Sequence, residues 1–546
     1  MDNEGRTRIA RCNRGLGLLI AALVGGSLAV LESGCTDAED PPVDEPICDE
    51  SGLPRYVGEP RVLAAGVGVE NEDCRSGALC RHNENTDLFR FKGALYLVHR
   101  TAESQILGPN SALIVYRSSD EGASFQPVAT LPAVDDRDIR DPIFYEVDGE
   151  LFIKAITRVR GFTPRDQDVE TVSVAFRSVD GESWTYEGPI GNERWGFWRV
   201  TAHEGFQYSA AYEDGDLQVV LQRTSDGLTW EPGAQIYGVA EDTPLETELV
   251  ITPGGRMLAI IRMDGTDEEL LGDKGRLRTK LCWADPPFES FDCPHELEGA
   301  RLDGAVHFWH DGRLFVVARK HLQPTLRKRT SVYELVGDLE AGPLEALEWA
   351  ELPSASDTAY AGVAKLDDGR VLMSWYSGEV ELDQPWTTGM LGETDIWLAT
   401  LDLGALPPAP PTAAECPNPR AEPPPDPGPV DCSEVPSDPT AACGEPCDEG
   451  NDLGVGEYCT VGGGECDDNA SATTCSALLN GQLIVTSYVC TVICDEATEC
   501  GPGASCRCPL FEDGGQICGC IPDACDIPPE AEGELGGEGG AGGGAG

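Results

Sequence analysis

The chain has 546 residues, with 39 Lys plus Arg against 95 Asp plus Glu and a formal net charge of -56 at pH 7. Such an excess of negative charge excludes nucleic-acid backbones and anionic lipid surfaces as partners, because like charges repel. The length, together with sharp changes of composition along it, predicts several domains rather than one core.

Residues 1–35 read as an export signal. Arg6, Arg8, Arg11 and Arg14 precede the apolar run LGLLIAALVGGSLAVL, which ends in ESGC and is short for a membrane span. Ser33-Gly34-Cys35 resembles the bacterial lipoprotein signal, although Glu32 stands where that pattern has an apolar residue. The resemblance implies lipidation at Cys35 and placement at the outer membrane or cell surface, with no membrane contact beyond that anchor. A chain cleaved without lipidation would be secreted. Of 22 cysteines, removal of Cys12 and Cys35 leaves an even 20, and the close pairs Cys74/Cys80 and Cys282/Cys293 read as local disulfides. Residues 36–59 are acidic and proline-rich, the composition of a tether.

From 60 to 404 the chain is a succession of short β-type runs, among them ALYLVHR, SALIVYR, LFIKAITRV, RMLAIIR, RLFVVARK and RVLMSWYS, with almost no helical periodicity. Hairpin signals separate them: DGE at Asp148, EDGD at Glu213, PGGR at Pro253, HDGR at His310 and DDGR at Asp367. So many evenly spaced strands exceed one open sheet and predict radial repetition into blades.

Within this region SSDEGASF (118–125), SVDGESW (178–184) and TSDGLTW (224–230) form an internal repeat. Each follows a β run and places a hydroxyl, a carboxylate, a glycine and an aromatic ring in the same order. The carboxylate can accept turn N-H groups while the ring packs beneath. The repeat resembles the Asp box of sialidases and related propellers, which lies away from the catalytic face; Asp120, Asp180 and Asp226 are therefore read as structural. The resemblance implies an all-β fold, a six-bladed sialidase-like β-propeller.

Residues 405–431 are a proline-rich linker. Residues 432–525 hold 14 cysteines with few large apolar residues, and resemble the myxobacterial-type cysteine-rich modules appended to secreted bacterial proteins. With no histidine after His321, seven disulfides are expected there rather than zinc. Residues 526–546 are a Gly-rich tail.

Candidate site residues come from the order of segments. LETELV places Glu246 and Glu248 on one strand face, RMLAIIR ends at Arg262, RLFVVARK supplies Arg319, and LPSASDTAYAG supplies Tyr360 with Asp357 three residues before it. Earlier, HNENTDLFRF carries Asn85-Thr86-Asp87, and DIRDPIFYEV carries Arg140 and Asp141. This order resembles a bacterial exo-alpha-sialidase-like family over residues 75–403. The resemblance implies that guanidinium groups clamp a sugar carboxylate and that a neutral tyrosine attacks the anomeric carbon, since a carboxylate nucleophile would be repelled. Carried over, Tyr360 is the nucleophile, Glu246 its base, Asp87 or Asp141 the acid, and Arg262, Arg319 and Arg140 the carboxylate ligands, with Glu, Arg, Arg and Tyr each on a different blade. The family's opening Phe/Tyr-Arg-Ile-Pro strand is replaced by Asn85-Thr86-Asp87, and neither Arg90 nor Arg100 substitutes for the missing arginine. Trp198, Arg199 and Tyr208 lie close together in WGFWRVTAHEGFQY and fit either a sugar-binding wall or inter-blade packing.

The expected function is hydrolysis of terminal acidic sugars from glycans. Two other readings stay open: a non-catalytic glycan-binding or adhesion propeller, and a neutral-sugar glycosidase using two carboxylates among Asp87, Asp141 and Glu246. No cofactor and no metal is expected: there is no GxSxG, no HExxH and no phosphate loop, and the acidic loop DGTDEELLGD (264–273) lacks the full EF-hand pattern. Convergence of Arg262, Arg319, Glu246 and Tyr360 on one place would favour the acidic-sugar site.

Overall fold

The computed structural model describes residues 47–412 apart from 50, 72, 106–107, 109, 135–136, 159–170, 214–216, 266–276, 323–326 and 391. It also describes Cys416 and, further on, 450–457, 466, 474–479, 485–492, 500–507 and 519–523. The signal segment, most of the linker and the Gly-rich tail lie outside the described residues, as does the loop DGTDEELLGD beyond Gly265.

Four antiparallel four-stranded sheets follow one another, opening with strands Asp138–Val147, Trp195–His203, Pro244–Ile251 and Asp303–His310. The remaining propeller strands form one eight-stranded sheet. In it the meander opened by His82–Phe91 and the group opened by Thr358–Lys365 meet at a single parallel bridge, His82 to Thr394. Strand Arg61–Ala64 pairs antiparallel with Thr394–Leu401 and completes that last group from the N-terminal side. The opening strands lie side by side in chain order, and Thr358–Lys365 returns to His82–Phe91, so the arrangement is a closed all-β propeller.

The first hairpin of a sheet is set by local chemistry. Lys92-Gly93, Asp148-Gly149, Glu204-Gly205 and Asp311-Gly312 are two-residue turns with positive φ at both positions, the primed turn whose twist matches the strands it joins. The strand that follows is buried on both faces, because a neighbouring sheet covers each side. Leu314 to Ala318 are therefore all fully buried, as a continuous run rather than an alternating one.

The three repeats close hairpins between third and fourth strands. In the second, Asp180 Oδ1 accepts from the backbone N of Glu182 at 2.8 Å and of Ser183 at 2.7 Å, and Ser178 Oγ accepts from Gly181 N at 2.8 Å. The third repeats this with Asp226, Leu228 N and Thr229 N at 2.9 and 2.7 Å. Neighbouring sheets use the same turns: Tyr96 Oη donates to the Asp180 carbonyl and Tyr145 Oη to the Gly227 carbonyl. Because strand direction alternates, these hairpins lie at the end of the propeller opposite to the start of each opening strand.

Cys74–Cys80 and Cys282–Cys293 are bridged. A further bridge, Cys48–Cys416, joins the tether to the linker across 368 residues. The end of the tether differs from its composition-based reading: Leu53, Tyr56 and Val57 are buried, and Val57 bridges to Leu401. Three apolar side chains within five residues pin a stretch whose acidic, proline-rich flank suggested a free linker. In the cysteine-rich module, two short antiparallel ladders, Thr474–Leu479 with Val485–Thr491 and Ala504–Arg507 with Gly519–Pro522, accompany bridges Cys466–Cys490 and Cys500–Cys520.

Candidate functional site

Each opening strand carries one extra residue relative to its partner, always near its start. The register slips between Glu84 and Asp87, Arg140 and Ile143, Phe197 and Val200, Pro244 and Thr247, Asp303 and Val306, and Ala359 and Gly362. A β-bulge bends its strand and re-aims a side chain. Here the bulges hold Asn85, Asp141, Trp198, Arg199, Glu246, Gly304 and Tyr360. Asn85, Asp141 and Tyr360 sit at φ of 54°, 53° and 41°, a conformation that costs roughly 1–3 kcal/mol and that the surrounding sheet must impose.

Tyr360, Glu246 and Arg262 form a closed triangle. Tyr360 Oη donates to Glu246 Oε1 at 2.7 Å, and Arg262 Nη1 donates to Tyr360 Oη at 2.9 Å and to Glu246 Oε2 at 2.8 Å. The other edge of Arg262 forks onto Asp264, at 2.7 and 3.0 Å. Arg319 lies with its guanidinium carbon 4.6 Å from the centre of the Tyr360 ring, and donates to the Thr358 carbonyl, to Tyr376 Oη at 2.8 Å and to Asp357 at 3.3 Å. Tyr376 in turn donates to Asp357 at 2.6 Å, while Trp198 meets Tyr360 edge-on at 5.5 Å. Gly304 must be small: a Cβ there would come within 2.5 Å of the Tyr360 ring.

Burial, with Glu246 alongside, pushes the Tyr360 hydroxyl well above its ordinary value, so it is neutral unless its proton is removed. Arg262 and Arg319 stay firmly charged: burial opposes this, but Asp264 and Glu246 beside the first, and Tyr376, Tyr360 and Asp357 beside the second, outweigh it. Asp141 behaves differently from the paired carboxylates. Burial raises it to about 6, with Glu246 and Glu84 adding to the rise and Arg140 and Lys154 opposing it. A carboxyl group that titrates near 6 can hold a proton and release it within one catalytic cycle.

The remaining candidates are distributed as follows. Asp87 is occupied on both oxygens, by Arg199 Nη1 at 2.9 Å and Phe144 N at 2.8 Å. Arg199 also reaches the carbonyls of Ala305 and Ala361, so it ties four strands together. Arg140 turns back onto Asp138 and the Gln105 carbonyl. Asp357 holds Arg319 and Tyr376, and Tyr208 packs edge-on against Phe288 at 5.5 Å. Glu248 does not join Glu246: the bulge intervenes, and it bonds His307 instead. Glu246 and Arg262 share one sheet rather than standing on separate blades, because adjacent strands bring them together. Arg90 pairs with Glu121, and Arg100 with Glu84 and Asp138, neither of them at the triangle.

Several participants were not foreseen. Lys154 is fully buried between Asp141 and Trp198, and burial lowers it to about 7 against the pull of Asp141. Its signal was a lone lysine inside the apolar run LFIKAI. Arg301 and His321, which brace Asp264 and Asp303, left no comparable trace in the sequence. Among the described residues no group of three or more His, Cys, Asp or Glu could hold a metal ion, and no helix is long and apolar enough to cross a membrane.

No protein-family model and no curated protein matches the sequence. Solved structures with a similar arrangement include a protein of unknown function from Dyadobacter fermentans, 18% identical with a TM-score of 0.45, covering 62% of this chain and 98% of that one. NanB sialidase from Streptococcus pneumoniae is 10% identical with a TM-score of 0.47, covering 64% and 71%. Trypanosoma rangeli sialidase is 11% identical with a TM-score of 0.42; 59% of this chain is covered, and it spans about half, 55%, of that enzyme.

Proposed function

We propose that this chain is an exported, Cys35-lipidated glycoside hydrolase of sialidase-like type, acting on terminal acidic sugars with Tyr360 as nucleophile. The eight-stranded sheet counts as two blades in this reading, giving a six-bladed propeller. The observation that carries the proposal is the triangle of Tyr360, Glu246 and Arg262, because a tyrosine with a carboxylate on its hydroxyl and a guanidinium on the same oxygen is equipped to attack. As Tyr360 Oη bonds to the anomeric carbon its proton passes to Glu246 Oε1. Arg262 and the cation of Arg319 over the ring offset the charge that develops on the phenol. The glycosidic bond breaks as Asp141 gives its proton to the leaving oxygen. Water then attacks the same carbon, returns a proton to Asp141 and frees the tyrosine, which recovers its own proton from Glu246.

One observation favours a second reading, a neutral-sugar glycosidase working between Asp141 and Glu246: Arg140 is already bonded to Asp138, and one edge of Arg262 to Asp264. The test is mass-spectrometric detection of sugars released by the full chain from a panel of sialylated, uronic-acid and neutral glycans, beside Tyr360→Phe. Acidic-sugar release abolished by the variant supports the first reading. Neutral-sugar release that survives it supports the second, and retention of glycan without release means a binding propeller.

A further inference from the structure

The first and second bulges meet. Asn85 Nδ2 donates to Asp141 Oδ1 at 2.6 Å, and both residues hold the same positive φ, so two strained backbones aim one carboxamide at one carboxyl group. Asn85 belongs to the stretch Asn85-Thr86-Asp87 that stands where the sialidase-like order would put its first arginine. Its other polar atom, Oδ1, is buried and has no hydrogen-bond partner. Behind Asp141, Lys154 Nζ donates to the Asp141 main-chain carbonyl at 3.3 Å and to the Phe197 carbonyl, with the Trp198 ring centre 5.6 Å away. Lys154 thus fastens the second bulge to the third opening strand.

The charged groups around Asp141 come from every side. Arg140 is on its own strand, Lys154 on the next, Glu84 on the first opening strand and Glu246 on the fourth. Arg199, on the third, acts on Lys154 and is itself bonded to Asp87. None of them donates to the Asp141 carboxyl oxygens; Asn85 does.

We propose that Asn85 and Lys154 are the positioning residues of Asp141. This rests on the hydrolase reading. With Oδ1 of Asp141 occupied by the carboxamide, Oδ2 is the oxygen that carries the proton. That proton passes to the glycosidic oxygen as its bond to the anomeric carbon breaks, and water restores it in the second step. The site has a neutral carboxamide in place of a third guanidinium, which leaves Asp141 free of a direct cation on its carboxyl oxygens and so able to stay protonated.

The experiment compares Asn85→Ala with the wild-type full chain on two substrates: the glycan it cleaves, and an aryl glycoside of the same sugar whose leaving group needs no proton. Asn85→Ala is expected to lose roughly 10–100-fold on the glycan and less than about threefold on the aryl glycoside, since only the first depends on general acid catalysis. Loss of the N-H donor removes stabilisation of the ionised carboxylate, so the descending limb of the pH profile moves up by about one unit. Lys154→Met is expected to give the same split between substrates, and Lys154→Arg to restore part of the glycan rate. Equal losses on both substrates with an unmoved pH profile would overturn the proposal. The titration of Asp141 followed by its infrared carboxyl band, assigned with Asp141→Asn, does not require turnover. Were no sugar released at all, the hydrolase reading would fall, while an unchanged midpoint in Asn85→Ala would separately refute the contact.

Discussion

The two ends of the propeller are built from repeated devices of opposite kind. At one end, third-to-fourth hairpins are locked by Asp120, Asp180 and Asp226, each bonding within its own seven- or eight-residue repeat. At the other, every opening strand carries a bulge, and what each bulge presents is different: a carboxamide, a carboxyl, an indole with a guanidinium, a glutamate, nothing, and a phenol. The hairpin end repeats its chemistry, so it serves the fold. The bulge end repeats only its backbone, so side chains from separate sheets converge on a site that no single sheet contains.

Substitutions should separate the ends cleanly. The largest effect is expected from Tyr360→Phe and Glu246→Gln, which remove the proposed nucleophile or its proposed base and should each lower sugar release by about a hundredfold or more, with the melting temperature nearly unchanged. Steady-state rates beside thermal unfolding check this. Next comes Asp141. Burial holds it at about 6, and the proposed general-acid role requires its protonated form, so kcat/KM should fall as pH rises through about 6. Asp141→Asn should lose that limb along with roughly 100-fold in rate on unactivated glycans. The same shift sets a sign on stability: a carboxyl raised above its unfolded value contributes most at low pH, and that contribution is lost as pH rises through about 6.

Smaller effects belong to the closure and to the hairpins. Cys48→Ser with Cys416→Ser should lower unfolding stability by about 2–4 kcal/mol, through the released loop of 368 residues, and leave kcat/KM unchanged. Denaturant titration measures the first and sugar release the second. Least of all, Asp226→Ala should lower the melting temperature by a few degrees without touching activity. Hydrogen bonds from Thr229 and Leu228 depress Asp226 to about 2, so its contribution is present above the unfolded carboxylate value and fades as pH falls through about 2.

What was legible in the sequence follows the same division. The hairpin locks and the primed turns at Asp148 and Asp311 depend on neighbours in the chain, so local spacing displays them. A bulge depends on the partner strand, and one extra residue changes which side chain points where. Strand alternation therefore paired Glu246 with Glu248, while the slip between Pro244 and Thr247 sends Glu246 to Tyr360 and leaves Glu248 with His307. Trp198 and Arg199 were visible as an aromatic and basic cluster, but only the fold puts the first beside Tyr360 and the second on Asp87. Lys154 acts through bonds to Asp141 and Phe197 on other strands, and nothing in its immediate neighbours reports those partners.

The most direct test of the account is a search for sugar on the protein itself. The full chain is quenched during turnover of its best substrate and the peptide containing Tyr360 is weighed. Attack by Tyr360 predicts a peptide heavier by one glycosyl residue, absent from Tyr360→Phe. Steady turnover with no such adduct, undiminished in Tyr360→Phe, would contradict it.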